Sequence, residues 1–279
     1  MTGRRWLAAS AVALVMAVGA SGCSQLPGGV DGELANAWAM PGEPKGYEPV
    51  DGACFLTYLI GTASVKSAPP VDCSQPHEAE TVYVGDSPGG SEADQFAFCE
   101  KKVNAALGRD WRGLRVTFEV ILPTVAAIKA GAKWIRCDVR EVRDIEQEMA
   151  ATRTGRLKDG LDALALGCFQ ASGKDYTLTA VACGQKHNAE YVGSVTGTGS
   201  KLPETDSQWA PIHDRCAVLL AAFLGVSISQ YAGKYSGLAG VVSNDWDKGE
   251  RGVRCFLYLG KTKMTGSAKG KKLAPPRYS

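Results

Sequence analysis

The chain has little net charge and no second long apolar run, and both absences restrict what it can be. It contains 31 Lys and Arg and 29 Asp and Glu in 279 residues, a formal net charge of +2. This near balance argues against a nucleic acid as the partner, because proteins that bind phosphate backbones concentrate positive charge. Beyond residue 20 no apolar stretch approaches the roughly 20 residues that a transmembrane helix needs.

The sequence is also poor in residues that carry out chemistry. Only three histidines occur, His77, His187 and His213, and there is no G-x-S-x-G nucleophile elbow. Structural zinc needs closely spaced pairs of thiolate or imidazole ligands, and neither half of the chain has a second such pair. We therefore predict no metal, no cofactor, no catalytic residue and a protein that is not an enzyme. A catalytic pair of carboxylates, as in glycosidases, stays an alternative, because two such residues can be far apart in the sequence and close together in the fold.

Apolar residues concentrate at the N-terminus. Arg4 and Arg5 precede an apolar run at 6–20, which is too short for a stable span but suits a secretory signal peptide. The run ends in Ala20-Ser21-Gly22-Cys23, which resembles a bacterial lipobox. We predict a lipoprotein signal peptide at 1–23 and a Cys23 that carries diacylglycerol and palmitate, holding the chain outside the cytoplasm on the outer face of the cytoplasmic membrane. The alternative is an ordinary cleaved signal peptide that leaves a free thiol on Cys23.

Eight further cysteines fall into two sets of four with similar spacing. The successive gaps are 19, 26 and 38 residues in the first set and 15, 33 and 39 in the second. An even number of cysteines in an exported chain indicates a disulfide framework. If each set closes on itself, the predicted bonds are Cys54–Cys73, Cys99–Cys137, Cys168–Cys183 and Cys216–Cys255.

The two halves of the chain share the motif C-x-x-x-H-x-A-E. Its residues are Cys73, His77, Ala79 and Glu80 and, 110 positions later, Cys183, His187, Ala189 and Glu190. A turn-rich string follows each set of cysteines, TGRLKDG at 154–160 and TGSAKG at 265–270. Many matched positions in the same order indicate an internal repeat. We predict two tandem homologous modules, at 53–142 and 167–260.

Periodicity predicts the same elements in both modules. Apolar residues at helical spacing predict one helix at 91–107 and another at 205–224, with Gly108 and Gly225 placed to end them. Alternation predicts half-buried strands around 134–139 and 253–257. Each module is therefore expected to be a small antiparallel sheet packed by one main helix and stapled by two disulfides, in the α+β class.

The remaining segments show no such pattern. Residues 24–52 are rich in Gly, Pro and acids and are predicted to tether the first module to the lipid anchor. Residues 143–166 are predicted to connect the modules, with a short helix at 145–151. Residues 261–279 carry six basic residues and no acidic one. We expect this basic tail to be a solvated, disordered end, with contact to anionic lipid headgroups or wall polymer as the alternative.

The end of the second module carries a recognisable set of residues. They are Trp246-Asp247-Lys248-Gly249, then Arg251, Val253 and Cys255. Three further features recur in both modules: the dipeptides Cys54-Phe55 and Cys168-Phe169, the C-x-x-x-H-x-A-E motif, and the helical cysteines Cys99 and Cys216. Together with these features, the residues resemble the septum-formation domain of actinobacterial envelope proteins. The first module departs from this pattern, with Ile128 in place of Trp246. The resemblance implies an exported or membrane-tethered protein linked to division-septum formation, without an established catalytic activity or cofactor.

His77 and Glu80, with their counterparts His187 and Glu190, are the candidate site residues. We interpret them as structural, because each histidine lies where a strand begins and its ring can hydrogen-bond loop backbone groups. Each glutamate is expected to be held by backbone amides or by one of two repeated arginines, Arg136 and Arg254. The alternative is that one motif lines a pocket for a wall ligand.

The sequence therefore predicts a non-enzymatic, lipid-anchored binding or scaffold protein, with another envelope protein or a wall polymer as its partner. Candidate contacts are exposed aromatics, with core packing as the alternative for each: Trp111, Tyr235 and Trp246. His213 is expected to pack on the apolar face of its helix. Two other functions stay open, a wall-acting hydrolase that uses Glu80 or Glu190 and a solute-binding lipoprotein.

Overall fold

Runs of strands separated by helices make up the computed structural model, which describes residues 48–57, 62–63, 69–145, 148–172, 177–232, 234–242 and 245–274. The predicted signal peptide, Cys23 and most of the predicted tether lie outside the described residues. The strands are β1 (Cys54–Phe55), β2 (Thr62–Ala63), β3 (Pro70–Val71), β4 (Ala79–Asp86), β5 (Val116–Pro123), β6 (Trp134–Glu141), β7 (Cys168–Ser172), β8 (Thr177–Val181), β9 (Ala189–Thr196), β10 (Ser236–Val241) and β11 (Gly252–Tyr258). The helices are α1 (Glu92–Leu107), α2 (Val125–Lys129), α3 (Leu161–Leu164), α4 (Asp206–Leu224) and α5 (Ile228–Tyr231), with 3₁₀ turns at Trp111–Gly113 and Leu157–Gly160.

The strands form two sheets that have the same order once one short strand is set aside. The first sheet runs β2-β5-β6-β4-β1-β3 and the second runs β10-β11-β9-β7-β8. Within the described residues, β2 pairs with β5 in parallel and every other pairing is antiparallel. Without β2, each strand of the first sheet has a counterpart at the same place in the second. The chain is therefore α+β, with two mainly antiparallel sheets.

One long helix packs on each sheet, as the periodicity predicts. Both helices end at a glycine with left-handed backbone, Gly108 at φ 67° and Gly225 at φ 72°, a conformation that glycine adopts without steric penalty. The buried residues of the two helices are Cys99, Val103 and Leu107, then Ile212, Cys216, Leu220, Ala221 and Leu224. Among the helices in the described part of the chain, none is long and apolar enough to cross a membrane.

Four disulfides join these elements, with the pairing expected from the sequence. Cys54–Cys73 links β1 to the residues that follow β3, and Cys99–Cys137 links α1 to β6. Cys168–Cys183 and Cys216–Cys255 occupy the corresponding places in the second sheet. The Cα–Cα distances are 5.3, 5.5, 5.1 and 5.5 Å in chain order. Each of the four bonds therefore closes within one sheet and its own helix.

The strands that carry the last cysteine of each set are buried on both faces, so the expectation of half-buried strands was wrong. On β6, the polar residues Arg136 and Asp138 are buried as well as the apolar ones. On β11, Leu257 packs under α4, whereas its neighbour Phe256 packs in a separate core with Phe169, Val142 and Ile145. Val142 and Ile145, which follow the first sheet, therefore help to cover the second face of β11.

The connector between the sheets differs from the expected short helix at 145–151. In the described part of that range Ile145 is buried and Ala150 forms a β-bridge with Val142. The helical turns come later, at Leu157–Gly160 and in α3. Buried Leu157 and Leu164 pack into the core beneath α1, which places this segment on the first sheet.

The basic C-terminal segment packs on the second sheet and its helix as far as residue 274, whereas a free, disordered end was expected. Ala268 is fully buried, and Met264 and Leu273 pack against the core beneath α4. Backbone N–H groups of Gly270 and Lys272 donate to the Phe223 and Leu224 carbonyls at the end of that helix (2.8 and 3.1 Å). These bonds pair carbonyls that a helix end otherwise leaves without an intrahelical donor.

Candidate functional site

The first motif is enclosed at the start of β4. His77 and Glu80 are 0% and 4% exposed. The His77 ring contacts the Gln75 carbonyl through Nδ1 (2.8 Å) and a Glu80 carboxylate oxygen through Nε2 (3.2 Å). The same oxygen accepts the backbone N–H of Leu157 at 2.6 Å. Because both atoms that face the ring are acceptors, the contact requires a proton on Nε2 or on the Glu80 carboxyl.

The second motif lies at the same place before β9 but makes a different set of contacts. His187 and Glu190 are 0% and 5% exposed. His187 Nδ1 contacts the Gln185 carbonyl at 2.8 Å, and Glu190 accepts the backbone N–H of Ala268 at 2.7 Å. Among the described residues, His187 Nε2 has no hydrogen-bond partner. Because a carbonyl oxygen is an acceptor, Nδ1 is the ring nitrogen that donates in this copy.

Each motif holds the segment that follows its own sheet, in the same register. His77 exchanges two backbone hydrogen bonds with Arg153, and His187 does so with Met264. Two residues after each of these partners, the N–H of Gly155 donates to the Cys73 carbonyl, and the N–H of Gly266 donates to the Cys183 carbonyl. Four residues after them, the N–H of Leu157 donates to the Glu80 carboxylate, and the N–H of Ala268 donates to the Glu190 carboxylate. We name these arrangements the first clamp (His77 and Glu80 on 153–157) and the second clamp (His187 and Glu190 on 264–268).

The clamps bring potential metal ligands together, but the sulfur chemistry argues against a metal site. Ligand atoms of Cys54, His77 and Glu80 lie within 4.8 Å of one another, and so do those of Cys168, Cys183 and Glu190. All three cysteines are in disulfides. A disulfide sulfur is not a thiolate, so two ligands are left in the first group and one in the second, too few for a structural zinc site.

The two arginines that were expected to hold the clamp glutamates make other contacts. Arg136 pairs with Asp138 at 2.6 Å and lies 4.4 Å from the centre of the Phe55 ring. Arg254 donates to the Arg112 carbonyl at 2.9 Å, outside its own sheet. Backbone amides hold both glutamates, and Glu80 also pairs with Arg153 at 3.7 Å. The histidine and glutamate of both motifs are buried, which argues against the alternative in which one motif lines a pocket for a wall ligand.

Most of the aromatic residues proposed as surface contacts are core residues. Trp111 and Trp246 are buried, which makes core packing the correct alternative for both. Tyr235 is half-buried, and its hydroxyl donates to the Leu273 carbonyl. His213 differs in the other direction: it is exposed and stacks on Trp209, with ring centres 5.9 Å apart. Its position on α4 is three residues before the disulfide cysteine but outside the buried stripe.

Sequence reasoning missed the charged contact that joins the two sheets. Arg112 follows α1, and its guanidinium donates to both Glu250 carboxylate oxygens (3.0 and 3.2 Å). Arg112 also pairs with Glu100. Burial raises the pKa of the Glu250 carboxyl, and the Arg112 charge opposes that rise. Neither Arg112 nor Glu250 belongs to a repeated motif, so comparison of the two halves gives no signal for them.

The turn at 246–249 is the one sequence signal that leads to this junction. The Trp246 ring packs directly over Gly197, where a Cβ would overlap it. Gly249 has a φ of 113° and lies against the backbone of Ala93 in α1, with an added Cβ only 3.0 Å from the Ala93 Cα. A residue with a side chain would be strained there and would push the second half away from α1. The turn therefore contributes to the association of the two sheets.

A pocket of about 150 Å³ opens beside this turn. Its apolar part comes from α1 and β5 and consists of Phe96, Phe118, Val120 and Leu122. The charged part consists of Glu92, Glu119, Asp245 and Lys248. Lys248 Nζ lies 2.9 Å from Asp245, and that hydrogen bond, together with the nearby carboxylates, raises the pKa of the lysine above its ordinary 10.5.

The sequence matches the septum-formation family over residues 52–255. The matched span runs through both sheets, both long helices and all four disulfides. The chain belongs to the septum-formation family. No curated protein and no solved structure matches it.

Proposed function

We propose that the protein is a non-enzymatic, lipid-anchored component of the cell envelope that acts as a binding or scaffold module in septum formation. Membership of the septum-formation family supports the process. The four disulfides support an exported chain, since such bonds persist in oxidising compartments. The N-terminal apolar run and Ala20-Ser21-Gly22-Cys23 support a signal peptide and acylation of Cys23.

The two sheets are proposed to be tandem copies of one module, at 53–142 and 167–260. Three matches between the halves support this: strand order, disulfide position and clamp register. The halves then diverged where they meet. Arg136 pairs inside its own sheet, whereas its counterpart Arg254 contacts the other sheet.

The observation that carries the non-enzymatic proposal is the use of the motif side chains within the fold. Glu80 and Glu190 accept buried backbone N–H groups, and the two histidines contact carbonyls of their own loops. A general acid or base must reach the proton that it transfers. The burial of both carboxylates and their bonds to the backbone therefore support a non-enzymatic function over a hydrolase that uses Glu80 or Glu190.

The pocket at the junction is proposed as part of the binding surface. It combines an apolar floor with a charged rim, the arrangement through which a protein partner is oriented. Its volume of about 150 Å³ is below the roughly 300 Å³ at which pockets for small ligands begin. The size therefore favours one inserted side chain of a macromolecular partner over a captured solute.

The test is crosslinking in cells with isolation of partners, combined with localisation of the tagged protein. We expect signal at the division site and an envelope or wall partner that is lost in Lys248→Glu, which changes the pocket rim. The matched control Lys201→Glu alters an exposed lysine outside the pocket. A uniform membrane signal without a division or wall partner would reject the septal role.

Two further measurements separate the parts of the proposal. Cys23→Ser should release the protein from the membrane fraction and abolish incorporation of labelled palmitate. Purified protein should release no fragments from peptidoglycan, and release that disappears in Glu80→Gln or Glu190→Gln would favour a hydrolase instead.

A further inference from the structure

The C-terminal segment presents a set of lysines on a fixed surface. All five are exposed: Lys261, Lys263, Lys269, Lys271 and Lys272. We name these five residues the basic cap. The backbone between them is held at several points, since Met264 pairs with His187, Ala268 with Glu190, and Leu273 packs against the core beneath α4. The basic cap therefore belongs to the folded body of the protein.

The charge of the basic cap is not neutralised by its own chain. Residues 261–279 contain no Asp or Glu. Across the described residues, none of the five lysines forms an ion pair with a carboxylate. Glu190, which contacts this segment, is buried and accepts a backbone N–H.

Two more lysines extend this positive surface. Lys186 is exposed and precedes His187, which forms the β-bridge to Met264. Lys234 is exposed and precedes Tyr235, whose hydroxyl donates to the Leu273 carbonyl. Both therefore flank the attached segment on the second sheet.

The corresponding segment on the first sheet shows that clamping does not require positive charge. Its charged residues are mixed: Arg153, Arg156 and Lys158 with Asp159 and Asp162. Arg153 pairs with Glu141 at 3.2 Å, and Asp162 pairs with Arg109 at 3.0 Å. The two segments have the same clamp register and different charge, so the positive charge of the second reflects its surface and not its attachment.

We propose that the basic cap is a docking surface for anionic phospholipid headgroups of the membrane to which the chain is anchored. Lysine ammonium groups are hydrated point charges that attract a negative leaflet without requiring a fixed geometry. Residues 24–47 between the acylated cysteine and the described body can span at most about 80 Å, which is ample for the basic cap to reach the bilayer. The setting of this contact rests on the proposed lipid anchor, whereas the contact itself does not.

The experiment uses the mature chain from residue 23 with Cys23→Ser, so that no acyl chain contributes. Co-sedimentation compares vesicles of phosphatidylglycerol and phosphatidylcholine with vesicles of phosphatidylcholine alone. Binding should require phosphatidylglycerol and weaken as salt rises, because a Debye length of about 8 Å at 0.15 M screens such contacts. Replacement of all five basic-cap lysines by Gln should weaken binding about tenfold or more, and replacement by Arg should preserve it.

The matched control replaces five exposed lysines elsewhere by Gln, with the same change of net charge. These are Lys101, Lys129, Lys133, Lys158 and Lys201. Equal loss of binding in the two Gln variants, or no loss in the basic-cap variant, would overturn the proposal. The proposal would also be overturned if soluble polyphosphate bound more tightly than the vesicles at equal phosphate concentration, since the surface would then fit an anionic polymer. None of these outcomes bears on septal recruitment, which is measured in cells with the acylated chain.

Discussion

Arg112 and Glu250 lie 138 residues apart in the chain and form an ion pair with three hydrogen bonds in the junction between the two sheets. Glu250 also accepts the backbone N–H of Gly252, the first residue of β11. Arg254 donates to the Arg112 carbonyl. The second half of the chain therefore holds both the side chain and the backbone of Arg112. The valine after β10, Val242, packs in the core beneath α1. The two sheets are therefore parts of one folded body.

Loss of one partner of this pair should destabilise the fold. Glu250→Gln leaves the buried Arg112 charge without its main partner, and breaking a buried pair in this way costs about 3–5 kcal/mol. Arg109→Gln is the control, because the Arg109–Asp162 pair is 44% and 94% exposed and such pairs contribute about 1 kcal/mol or less. Guanidinium unfolding of both variants measures the difference. Equal losses would show that the junction pair stabilises no more than a surface contact.

The close packing at Gly252 predicts a strong effect of one added methyl group. A Cβ at this position would overlap Arg112 and the Glu250 carboxylate, which hold each other in place. Gly252→Ala should therefore cost about 1–3 kcal/mol through overpacking. Gly240→Ala on the neighbouring strand is the matched control, because a Cβ there meets nothing within 4 Å. Thermal unfolding midpoints should fall for the first variant alone, and an unchanged midpoint would contradict the packing described.

The matched positions of the two halves explain which features the sequence could reveal. Residues that do the same task in each half, such as Cys99 and Cys216 or His77 and His187, appear twice and can be matched. Residues of the junction appear once, because each half contributes a different surface. No periodicity or spacing marks Arg112 and Glu250 as partners, since their contact depends on how two completed sheets pack. The buried second faces of β6 and β11 were missed for the same reason.

Each clamp should protect its own segment from hydrogen exchange. Glu80→Ala removes the acceptor of the Leu157 N–H, and Glu190→Ala removes that of Ala268. An unpaired buried donor costs about 1–3 kcal/mol, so local opening should become easier. Exchange at Leu157 should rise in the first variant and exchange at Ala268 in the second. Each variant is the control for the other, and faster exchange in both segments from either change would argue for general loosening.

The disulfide assignment predicts the outcome of peptide mapping without reduction. We expect four linkages, each within one sheet and its helix, and none between the sheets. Paired Cys99→Ala and Cys137→Ala removes a bond that closes a 38-residue separation, which should cost about 4 kcal/mol by chain entropy. Cys23→Ser is the control, since Cys23 takes part in none of the four bonds. A linkage between the two sets would disprove the assignment.

Tyr191 provides a test of whether the junction excludes water. Its ring lies beside Gly113 and packs against Phe256, with ring centres 5.7 Å apart. Burial raises the pKa of the Tyr191 phenol above 10.0, and its hydrogen bond with Ser194 only partly opposes this.

The direction of the pH effect follows from that shift. The folded protein keeps the Tyr191 proton to higher pH than the unfolded chain does, so unfolding releases a proton in the window above pH 10.0. Stability should therefore fall as pH rises through that window. Tyr191→Phe has no such proton, so its unfolding free energy should decline less steeply. Urea unfolding at a series of pH values measures both, and parallel curves would mean that the phenol is as hydrated in the fold as in the unfolded chain.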